Sequence, residues 1–476
     1  MKWDEITEVL IVGCGGAGAV AAITARDLGV QVLIVEKMEQ GGGNTNTAMG
    51  SFLCGGEMEG TYQYLESISS LVFPTVEPEI IQAFAKECLS NREWLENLGA
   101  KTHVFGQAAF PQLPGAEAIE KRIIIGPNKK EENSFWAFLR TQLETRSIRT
   151  WFNSPARDLL TDPQGRVIGA VVQKEGQEKL VGAQRGVILA CGGFEYNEWL
   201  KANYLKSYPF YALGSPGNTG EGIRMAQKVG ADLWHMTGVS ATLGFKAPEF
   251  TAAFMVRPAA NSYLFVDQNG KRFTSEFVDI HAYNFVVDFF DPQSLNFPRI
   301  PCFLIFDEAT RQAGQIGLTA IGYNRGLYEW SKNNEKEIRA GWVTGAESIT
   351  ALANKLNINP SQLKNTINQY NYYCQIGEDL EFHRPSKNLT PLEPGPYYAI
   401  ELWPCLLNTQ GGPRRNAQAQ ILYPNGRPIP GLYSAGELGS IFNLVYQGSG
   451  NLGECLAFGR IAGRAAAVAS PVNLFS

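Results

Sequence analysis

The sequence predicts an α/β fold, in which a Rossmann-like dinucleotide-binding domain is interrupted by a smaller α+β domain. The chain opens with a strand, a glycine loop, a helix and a second strand, which is the order of a βαβ unit. Glycine makes up 50 of 476 residues, about a tenth of the chain against an average usage of ~7%. Residues 235–385 have the pattern of mixed strands, helices and aromatic clusters. After residue 385 the sequence again shows strands followed by glycine turns. We therefore predict an inserted domain at 235–385, flanked by two parts of one domain at 1–234 and 386–476.

Composition argues against two classes of protein. The formal net charge is −5, charged residues make up 18% of the chain, and no long basic run is present, so we expect no nucleic-acid partner. The apolar runs are as short as strands, whereas a bilayer-spanning helix needs about 20 apolar residues. We therefore expect no integral membrane segment.

The cysteines and the first residues indicate the cellular compartment. The eight cysteines include no Cys-x-x-Cys pair, so neither a disulfide framework nor a metal site is predicted. Met1–Glu8 lacks the cationic start and apolar stretch of a signal peptide. A cytoplasmic protein is the expectation.

The first 36 residues carry a dinucleotide-binding fingerprint. The buried-strand pattern of Val9–Val12 leads into Gly13-Cys-Gly-Gly-Ala-Gly18, and a predicted helix at Ala19–Leu28 follows. The second apolar strand, Val32–Val35, ends at Glu36. With strand, loop, helix, strand and acid all in place, the unit predicts dinucleotide binding rather than a structural glycine turn.

Each glycine of the loop has a physical reason to be there. Gly13 permits the tight turn, Gly15 lets the backbone approach a pyrophosphate, and Gly18 allows close packing of helix on strand. The positive end of the helix dipole then faces the phosphates. Glu36 is placed to accept hydrogen bonds from ribose hydroxyls.

A second match to the glycine pattern, at Gly448–Gly453, lacks this context. Only 23 residues follow it, and they contain no second strand ending in an acid. We therefore predict a single nucleotide fold. The polar stretch Gly41–Gly50 has the composition of a loop that wraps a polar ligand, although an ordinary surface loop has the same composition.

Several motifs across the chain resemble the fumarate reductase/succinate dehydrogenase flavoprotein superfamily, and the resemblance covers nearly the whole sequence. They are the run from Val9 to Gly50, Ala190-Cys-Gly-Gly-Phe194, Gly217-Asn-Thr-Gly-Glu-Gly222, Gly270-Lys-Arg-Phe-Thr-Ser-Glu276 and Gly431-Leu-Tyr-Ser-Ala-Gly-Glu437. Within that superfamily the chain is most similar to the 3-ketosteroid dehydrogenases, through Tyr397–Pro404, Asn408-Thr-Gln-Gly-Gly412 and Tyr446-Gln-Gly-Ser-Gly450. The resemblance implies an FAD domain and a capping domain with the substrate held between them.

The resemblance also implies a set of cofactor-binding residues and a mode of attachment. Succinate dehydrogenases attach FAD through a histidine near the loop that corresponds to Gly41–Gly50. This loop contains no histidine here, so the resemblance implies noncovalent FAD. The residues expected to bind it are Gly13, Gly15, Gly16, Ala17, Gly18, Glu36, Lys37, Gly42, Gly43, Asn44, Thr45, Ala48, Ala156, Ala190, Gly192, Asn218, Gly436, Glu437 and Leu452. No metal ligand is expected.

Departures from the superfamily pattern bear on the substrate. Soluble fumarate reductases have an arginine proton donor four residues after the motif glutamate, and here that position is Ile280. Their histidine pair is replaced by Leu407 and Asn408. A dicarboxylate needs cationic or strong hydrogen-bonding anchors, and only other arginines, such as Arg257 or Arg414, are left to supply them.

The resemblance assigns candidate catalytic residues. In ketosteroid dehydrogenases a tyrosine hydroxyl and the amide of a glycine four residues later hold the ketone oxygen, and Tyr446 and Gly450 have that spacing. Two such donors stabilise enolate character while a proton leaves the adjacent carbon. A packed aromatic role for Tyr446 stays open. For proton transfer the nearest candidates are His281 and Tyr283, and a structural histidine is the alternative to the first.

Three functions follow from these observations. The leading hypothesis is an FAD-dependent dehydrogenase or ene-reductase acting next to a ketone in a bulky cyclic, steroid-like substrate, with a quinone or a reduced carrier as the electron partner. The second is an α,β-unsaturated acid reductase like fumarate reductase. The third is a non-catalytic flavin-binding subunit.

Overall fold

The computed structural model describes residues 2–71, 75–126 and 132–474. The chain divides into two compact units. The first comprises Met1–Leu205, Gly214–Val239 and Asn408–Ser476, and the second comprises Lys206–Leu213 and Ser240–Leu407.

The strands, in chain order, are β1 (Glu5–Val12), β2 (Val32–Val35), β3 (Phe52–Gly55), β4 (Thr102–Gln107), β5 (Ile119–Ile124), β6 (Arg149–Trp151), β7 (Ala156–Thr161), β8 (Val167–Lys174), β9 (Gln177–Leu189), β10 (Tyr211–Ala212), β11 (Leu233–Trp234), β12 (Val239–Phe245), β13 (Phe254–Val256), β14 (Tyr263–Val266), β15 (Cys302–Asp307), β16 (Gly317–Leu318), β17 (Thr344–Ala346), β18 (Tyr397–Thr409), β19 (Gly412–Pro413), β20 (Gln420–Leu422) and β21 (Pro428–Ser434).

The helices are α1 (Gly16–Asp27), α2 (Gly43–Thr47), α3 (Met58–Ser69), α4 (Pro78–Asn97), α5 (Ser134–Thr145), α6 (Glu198–Tyr204), α7 (Glu221–Lys228), α8 (Tyr283–Val287), α9 (Glu308–Ala313), α10 (Glu335–Arg339), α11 (Ile349–Leu356), α12 (Pro360–Ile376) and α13 (Gly450–Val468).

The first unit is built on a parallel sheet. Its strand order is β20-β21-β9-β1-β2-β6, with β8 paired antiparallel to β9 and β7 paired antiparallel to β8. The register Val9↔Val32 to Val12↔Val35 brings the carboxyl ends of β1 and β2 side by side. Open parallel sheets bind ligands at the carboxyl ends of their strands, so this edge is where the cofactor site is expected.

Small residues allow the first helix to pack closely on the last. On α13, a Cβ at Gly459 would lie 2.9 Å from the Val20 side chain, and one at Gly463 would lie 2.6 Å from the Ala21 carbonyl oxygen. Every residue of α1 from Gly16 to Ala25 is buried. The small side chains of α1 and α13 therefore let the two backbones approach, and larger residues at these glycines would separate them.

The second unit has its own mostly antiparallel sheet. The strand order is β14-β15-β18-β12-β13-β16, with β10 and β17 paired to β18. A separate apolar core surrounds Trp330 and Phe254, both almost fully buried. The sequence placed the return to the first domain at residue 386, but the second unit continues to Leu407, because β18 pairs with β15 from Tyr397 to Leu402.

Several predicted elements begin or end elsewhere than expected. The first helix begins at Gly16 rather than Ala19, and the last begins at Gly450 rather than near Glu454. The Gly41–Gly50 stretch, predicted as a loop, contains the short helix α2. Strand β21 ends at Ser434, well before the second glycine match at Gly448–Gly453, which therefore does not follow a strand directly.

Candidate active site

The glycine loop between β1 and α1 forms an open cradle. Gly13 has a φ of +105°, and a Cβ there would lie 2.4 Å from the Ala190 carbonyl oxygen; one at Gly18 would lie 2.0 Å from the Gly13 oxygen. At Gly15 the nearest atom to an added Cβ is the Gly42 oxygen, at 3.6 Å. Gly13 and Gly18 are therefore fixed by the protein's own packing, whereas Gly15 leaves its backbone accessible to a ligand.

Glu36 lies at the carboxyl end of β2 and faces the same loop. Its Oε2 accepts the Cys14 N–H at 2.7 Å, and its Oε1 accepts the Met38 N–H at 2.8 Å. Burial raises the pKa of Glu36 from its ordinary value, while these two N–H groups act in the opposite direction. Each carboxylate oxygen has a second lone pair, so Glu36 retains capacity to accept ribose hydroxyls.

Lys37 is held by the segment that begins α7. Its Nζ donates to Thr219 Oγ1 at 2.5 Å and to Glu221 Oε1 at 2.9 Å. Desolvation raises the pKa of Glu221, but Lys37, the Thr219 hydroxyl and a backbone N–H together outweigh it, and the net pKa is lowered. This ion pair joins the end of β2 to the Ser215–Gly222 turn.

The short helix α2 supplies a second wall. The Gly16 N–H donates to Thr45 Oγ1 at 3.0 Å, which places α2 against the start of α1. Gly43 has a φ of +48°, and a Cβ added there would meet nothing within 4 Å. Asn44 bridges to another segment, since its Oδ1 accepts the Ser215 N–H at 2.8 Å.

The turn after β9 closes the site. Gly192 has a φ of +70°, and a Cβ there would lie 2.5 Å from Asn218 Oδ1. Asn218 is 5% exposed, yet its Nδ2 has no hydrogen-bond partner among the described residues. A buried amide without a partner is costly, so a polar ligand in this pocket would satisfy it.

These segments line one pocket, and all of its lining residues belong to the first unit. The predicted residues that line it are Gly13, Gly15, Gly16, Ala17, Glu36, Lys37, Gly43, Asn44, Thr45, Ala156, Ala190, Gly192, Asn218 and Glu437. The open backbone at Gly15 and Gly43, the α1 N-terminus and the orphaned Asn218 amide fit a dinucleotide with its pyrophosphate at the helix end.

Five predicted residues are not among those that line the pocket: Gly18, Gly42, Ala48, Gly436 and Leu452. Gly18 and Gly436 act through packing, because a Cβ at Gly436 would lie 2.7 Å from the Cβ of Ala17. Leu452 is buried in the apolar core of the first unit.

Sequence reasoning also missed several residues that line the pocket. Ser215, Gly217 and Glu221 belong to a glycine turn that the sequence does single out, so attention to that turn would have found them. Met225 on α7 and Cys455 on α13 carry no comparable signal, because an apolar residue on a helix has the pattern of ordinary core.

Tyr446 and Gly450 lie together at the start of α13. Tyr446 is 8% exposed, and its hydroxyl accepts the Asn451 N–H at 3.1 Å. Burial raises the pKa of this phenol. Its ring packs edge-on against Phe442, with ring centroids 5.4 Å apart. Gly450 is the first residue of α13, and an added Cβ would lie 2.5 Å from the Phe442 ring, so glycine is required there.

His281 and Tyr283 lie in the second unit. His281 Nδ1 is 2.7 Å from Ser240 Oγ, and its N–H donates to Asp279 Oδ1 at 2.9 Å. The Tyr283 hydroxyl donates to the Glu276 carbonyl oxygen at 3.2 Å, and burial raises the pKa of the phenol. Tyr283 thus has a packed, hydrogen-bonded position, while His281 is partly exposed.

The Gly270–Glu276 motif of the second unit forms a buried ionic network. Arg272 makes two hydrogen bonds to Glu276, at 2.9 and 2.8 Å, and an ion pair with Asp379. Arg384 Nη1 donates to the same Glu276 carboxylate at 3.2 Å. Two arginines balance two acids, so the network is neutral and fixes the segment that leads to Ile280 and His281.

Residues 8–452 match the family described as FAD binding domain. The chain belongs to this family, which confirms FAD as its cofactor and the predicted superfamily. Among the described residues, no group of three or more His, Cys, Asp or Glu is arranged to hold a metal ion. Within the same described ranges, none of the helices is both long and apolar enough to span a bilayer.

The chain is similar to three curated oxidoreductases. It is 27% identical to the NADH:acrylate oxidoreductase of Vibrio harveyi, over 97% of this chain and 50% of that protein. It is 26% identical to the fumarate reductase (cytochrome) of Shewanella frigidimarina, over 98% of this chain and 78% of that protein. A 3-oxosteroid 1-dehydrogenase of Mycolicibacterium smegmatis is 29% identical over 68% of this chain and 60% of its own length. The chain thus spans only half to about three quarters of these relatives.

A solved structure shows the same fold. The 3-ketosteroid delta1-dehydrogenase from Sterolibacterium denitrificans, in complex with 1,4-androstadiene-3,17-dione, matches with a TM-score of 0.86 at 22% identity, over 98% of this chain and 100% of that one. This confirms the predicted α/β flavoenzyme fold with a capping domain. The relatives are dehydrogenases and reductases, so the predicted class, a flavin-dependent oxidoreductase, is also confirmed.

Proposed function

We propose that this chain introduces or reduces a carbon–carbon double bond next to a ketone in a bulky cyclic, steroid-like substrate. Bound FAD supplies the two-electron chemistry. The protein's own contribution is to hold the ketone oxygen and to move a proton at the adjacent carbon.

The observation that carries the proposal is the arrangement at the start of α13. Gly450 is the first residue of this 19-residue helix, so its N–H has no acceptor within the helix. The Tyr446 hydroxyl lies on the same turn, since it accepts the Asn451 N–H. Two donors at the positive end of a helix dipole suit the negative charge that develops on a ketone oxygen.

The proton-transfer role falls to His281 in this proposal. Its imidazole can accept or donate a proton at a ring nitrogen, and the side chain is partly exposed. Tyr283 is a weaker candidate, because burial raises the pKa of its hydroxyl, which is already donated to Glu276.

Reduction of an unsaturated acid is the second candidate, and the acrylate and fumarate reductases among the relatives support it. Against it stands Ile280 at the position of the arginine donor. Arg414 already has two acidic partners, since it forms ion pairs with Glu77 and Asp232. A carboxylate substrate would therefore need to break an existing ion pair or use an arginine such as Arg257.

The proposal names partners by their chemistry. The substrate is a cyclic ketone or enone, and the electron partner is a quinone or a reduced carrier. A cytoplasmic location stays a prediction from the sequence.

A panel experiment tests the proposal. The flavin is photoreduced anaerobically and then mixed with cyclic enones, fumarate, acrylate or quinones while its absorbance is followed, and products are identified by mass spectrometry. We expect a cyclic enone to reoxidise the flavin and to gain two hydrogens. Reoxidation by fumarate or acrylate alone would favour the second candidate, and reoxidation by quinones alone would favour a non-catalytic flavin subunit.

A further inference from the structure

Two carboxylates meet in the interior of the first unit, beside the FAD pocket. Glu195 is 1% exposed and Glu437 is 8% exposed, and one carboxylate oxygen of each lies against the same residue, Gly193. The amide nitrogen of Asn44 donates to both, at 2.9 Å to Glu195 Oε1 and 3.1 Å to Glu437 Oε2. Asn44 and Glu437 line the pocket, whereas Glu195 is not among its lining residues.

The remaining contacts of the pair do not neutralise two negative charges. Glu437 Oε1 accepts the Thr409 N–H at 3.2 Å, while Glu195 Oε2 has no hydrogen-bond partner among the described residues. Both carboxylates also press against Gly193, where an added Cβ would lie 2.4 Å from Glu437 Oε1 and 3.0 Å from Glu195 Oε2. Two ionised carboxylates in contact repel each other, whereas one proton between them forms a hydrogen bond.

We propose that Glu195 and Glu437 share one proton at neutral pH, and that Glu195 is the positioning residue that holds Glu437 and Asn44 on the wall of the FAD pocket. Asn44 passes this constraint on, because its Oδ1 accepts the Ser215 N–H at 2.8 Å. The pair thereby ties together three pocket segments, which are α2, the turn after β9 and the turn after β21. The inference depends on FAD binding and not on the substrate proposed above.

The surroundings of Glu437 oppose a second negative charge. Burial, with the Glu195 charge as the next cause, raises the pKa of Glu437 well above its ordinary value, while Asn44 and the Thr409 N–H act in the opposite direction. Two neutral groups lie near Glu437, Cys455 on α13 and Tyr446 just before it; burial chiefly raises the pKa of both, and the charge of Glu437 adds to the effect. Neither group offers Glu437 a positive charge.

The shared proton has a defined effect on stability. Above the ordinary glutamate pKa of 4.5 the unfolded chain releases this proton while the native protein keeps it. The native state then binds one more proton, so stability falls as pH rises, until the raised pKa of the pair is reached. The folding equilibrium constant should fall about tenfold per pH unit in that window.

Replacement of Glu195 by glutamine tests the proposal. In Glu195→Gln the amide N–H substitutes for the shared proton, so the holoenzyme should keep its FAD and lose the one-proton decline in stability. In Glu195→Ala, Glu437 and Asn44 lose the side chain that holds them from behind Gly193 and Asn44 loses a hydrogen-bond acceptor, and FAD should bind about tenfold more weakly or worse. Glu178→Gln, an exposed glutamate on β9, is the matched control and should behave as wild type.

Infrared spectroscopy detects the proton directly. The wild-type holoenzyme at neutral pH should show the carbonyl stretch of a protonated carboxylic acid, shifted in heavy water, and Glu195→Gln should lack that band. In chemical unfolding from pH 5 to pH 9, the stability of wild type should fall relative to that of Glu195→Gln as the pH rises. The proposal is overturned if wild type has no acid band, if the band persists in Glu195→Gln, or if the two proteins share one pH dependence.

Discussion

At Gly15 the backbone is open to a ligand, whereas at Gly18, three residues later, it is closed by the protein. A Cβ at Gly15 meets only the Gly42 oxygen at 3.6 Å, which is ordinary contact, but one at Gly18 would lie 2.0 Å from the Gly13 oxygen. We therefore expect Gly15→Ala to fold and to lose FAD affinity, since the methyl group occupies the path of the pyrophosphate, at a cost of about 1–3 kcal/mol.

Flavin absorbance after gel filtration and a circular dichroism spectrum check this expectation together. Gly18→Ala is the contrasting variant, and it should lose native structure along with FAD. If Gly15→Ala retained FAD at wild-type affinity, the cradle would not hold the pyrophosphate.

The Tyr446 hydroxyl is assigned to the ketone oxygen. Tyr446→Phe keeps the ring against Phe442 and should retain FAD. It should slow the exchange of electrons between substrate and flavin about a hundredfold, because loss of one oxyanion donor costs about 3 kcal/mol. Rapid mixing under anaerobic conditions measures that rate.

The same variant should also lose a little stability. It leaves the buried Asn451 N–H without its acceptor, at a cost of about 1–3 kcal/mol. Lower stability with an unchanged rate of flavin reduction or reoxidation would leave Tyr446 with a packing role only.

Single residues were easiest to predict from the sequence at positions where only one residue type can meet a physical requirement. The glycines of the first loop and Glu36 lie where the fingerprint places them. Few residues other than glycine allow the tight turn and the close approach of the backbone, and the end of the second strand needs an acid as a hydrogen-bond acceptor. Glu195 carried no such signal. Its role depends on Asn44, which is 151 positions from Glu195 in the sequence and 393 positions from Glu437.

Among the secondary-structure elements, β11 is followed by a buried histidine, His235. We expect this histidine to make the stability of the protein depend on pH. His235 has a φ of +54°, and its Nδ1 must donate to the Ser440 carbonyl oxygen at 2.8 Å. The Trp234 and His235 rings stack with centroids 4.4 Å apart. Burial lowers the pKa of His235 from 6.5 to about 4, so the native protein holds a neutral ring.

Because of His235, the free energy of unfolding should decrease in mild acid. The unfolded chain takes up a proton at His235 below pH 6.5 and the native protein does not, so stability is full above that pH and falls towards pH 4, by about 3 kcal/mol. His235→Asn should flatten this part of the profile, because asparagine tolerates a positive φ and does not titrate. Urea unfolding at steps from pH 7 to pH 4 measures the difference, and identical profiles would contradict the assignment.

The sequence misjudged the elements where glycine occurs inside a helix. Low helix propensity suggested that α1 begins after Gly18 and α13 after Gly453, yet both helices include those glycines. The reason is tertiary, since only glycine permits the contacts of Gly18 with the Gly13 oxygen and of Gly453 with Leu53. Packing outweighs propensity at such positions.

At the scale of the whole molecule, the mode of cofactor attachment remains a prediction. The pocket-lining α2 residues are Gly43, Asn44 and Thr45, and none of them is a histidine, the residue through which the resemblance would imply covalent FAD. The purified protein should therefore be yellow and should release all of its FAD on acid denaturation. Flavin fluorescence in the supernatant against the precipitate decides the matter, and flavin left in the precipitate would contradict it.

The domain plan was predictable in outline and not in detail. The change in sequence pattern near residue 235 indicates an inserted domain. No local feature of the sequence shows that Lys206–Leu213 belongs to the second unit. That segment contains β10, which pairs with β18 nearly 200 residues away. A two-residue strand has no sequence pattern of its own, so only the pairing reveals it.

We propose that the flavin exchanges electrons with a cyclic ketone and not with a dicarboxylate. The most direct measurement is the rate at which photoreduced enzyme is reoxidised by a steroid-like 1-en-3-one, compared with fumarate at the same concentration without oxygen. The account predicts rapid reoxidation by the enone and little by fumarate, because Ile280 replaces the arginine donor and Arg414 is already paired. Reoxidation by fumarate at a rate equal to or above that of the enone would contradict it.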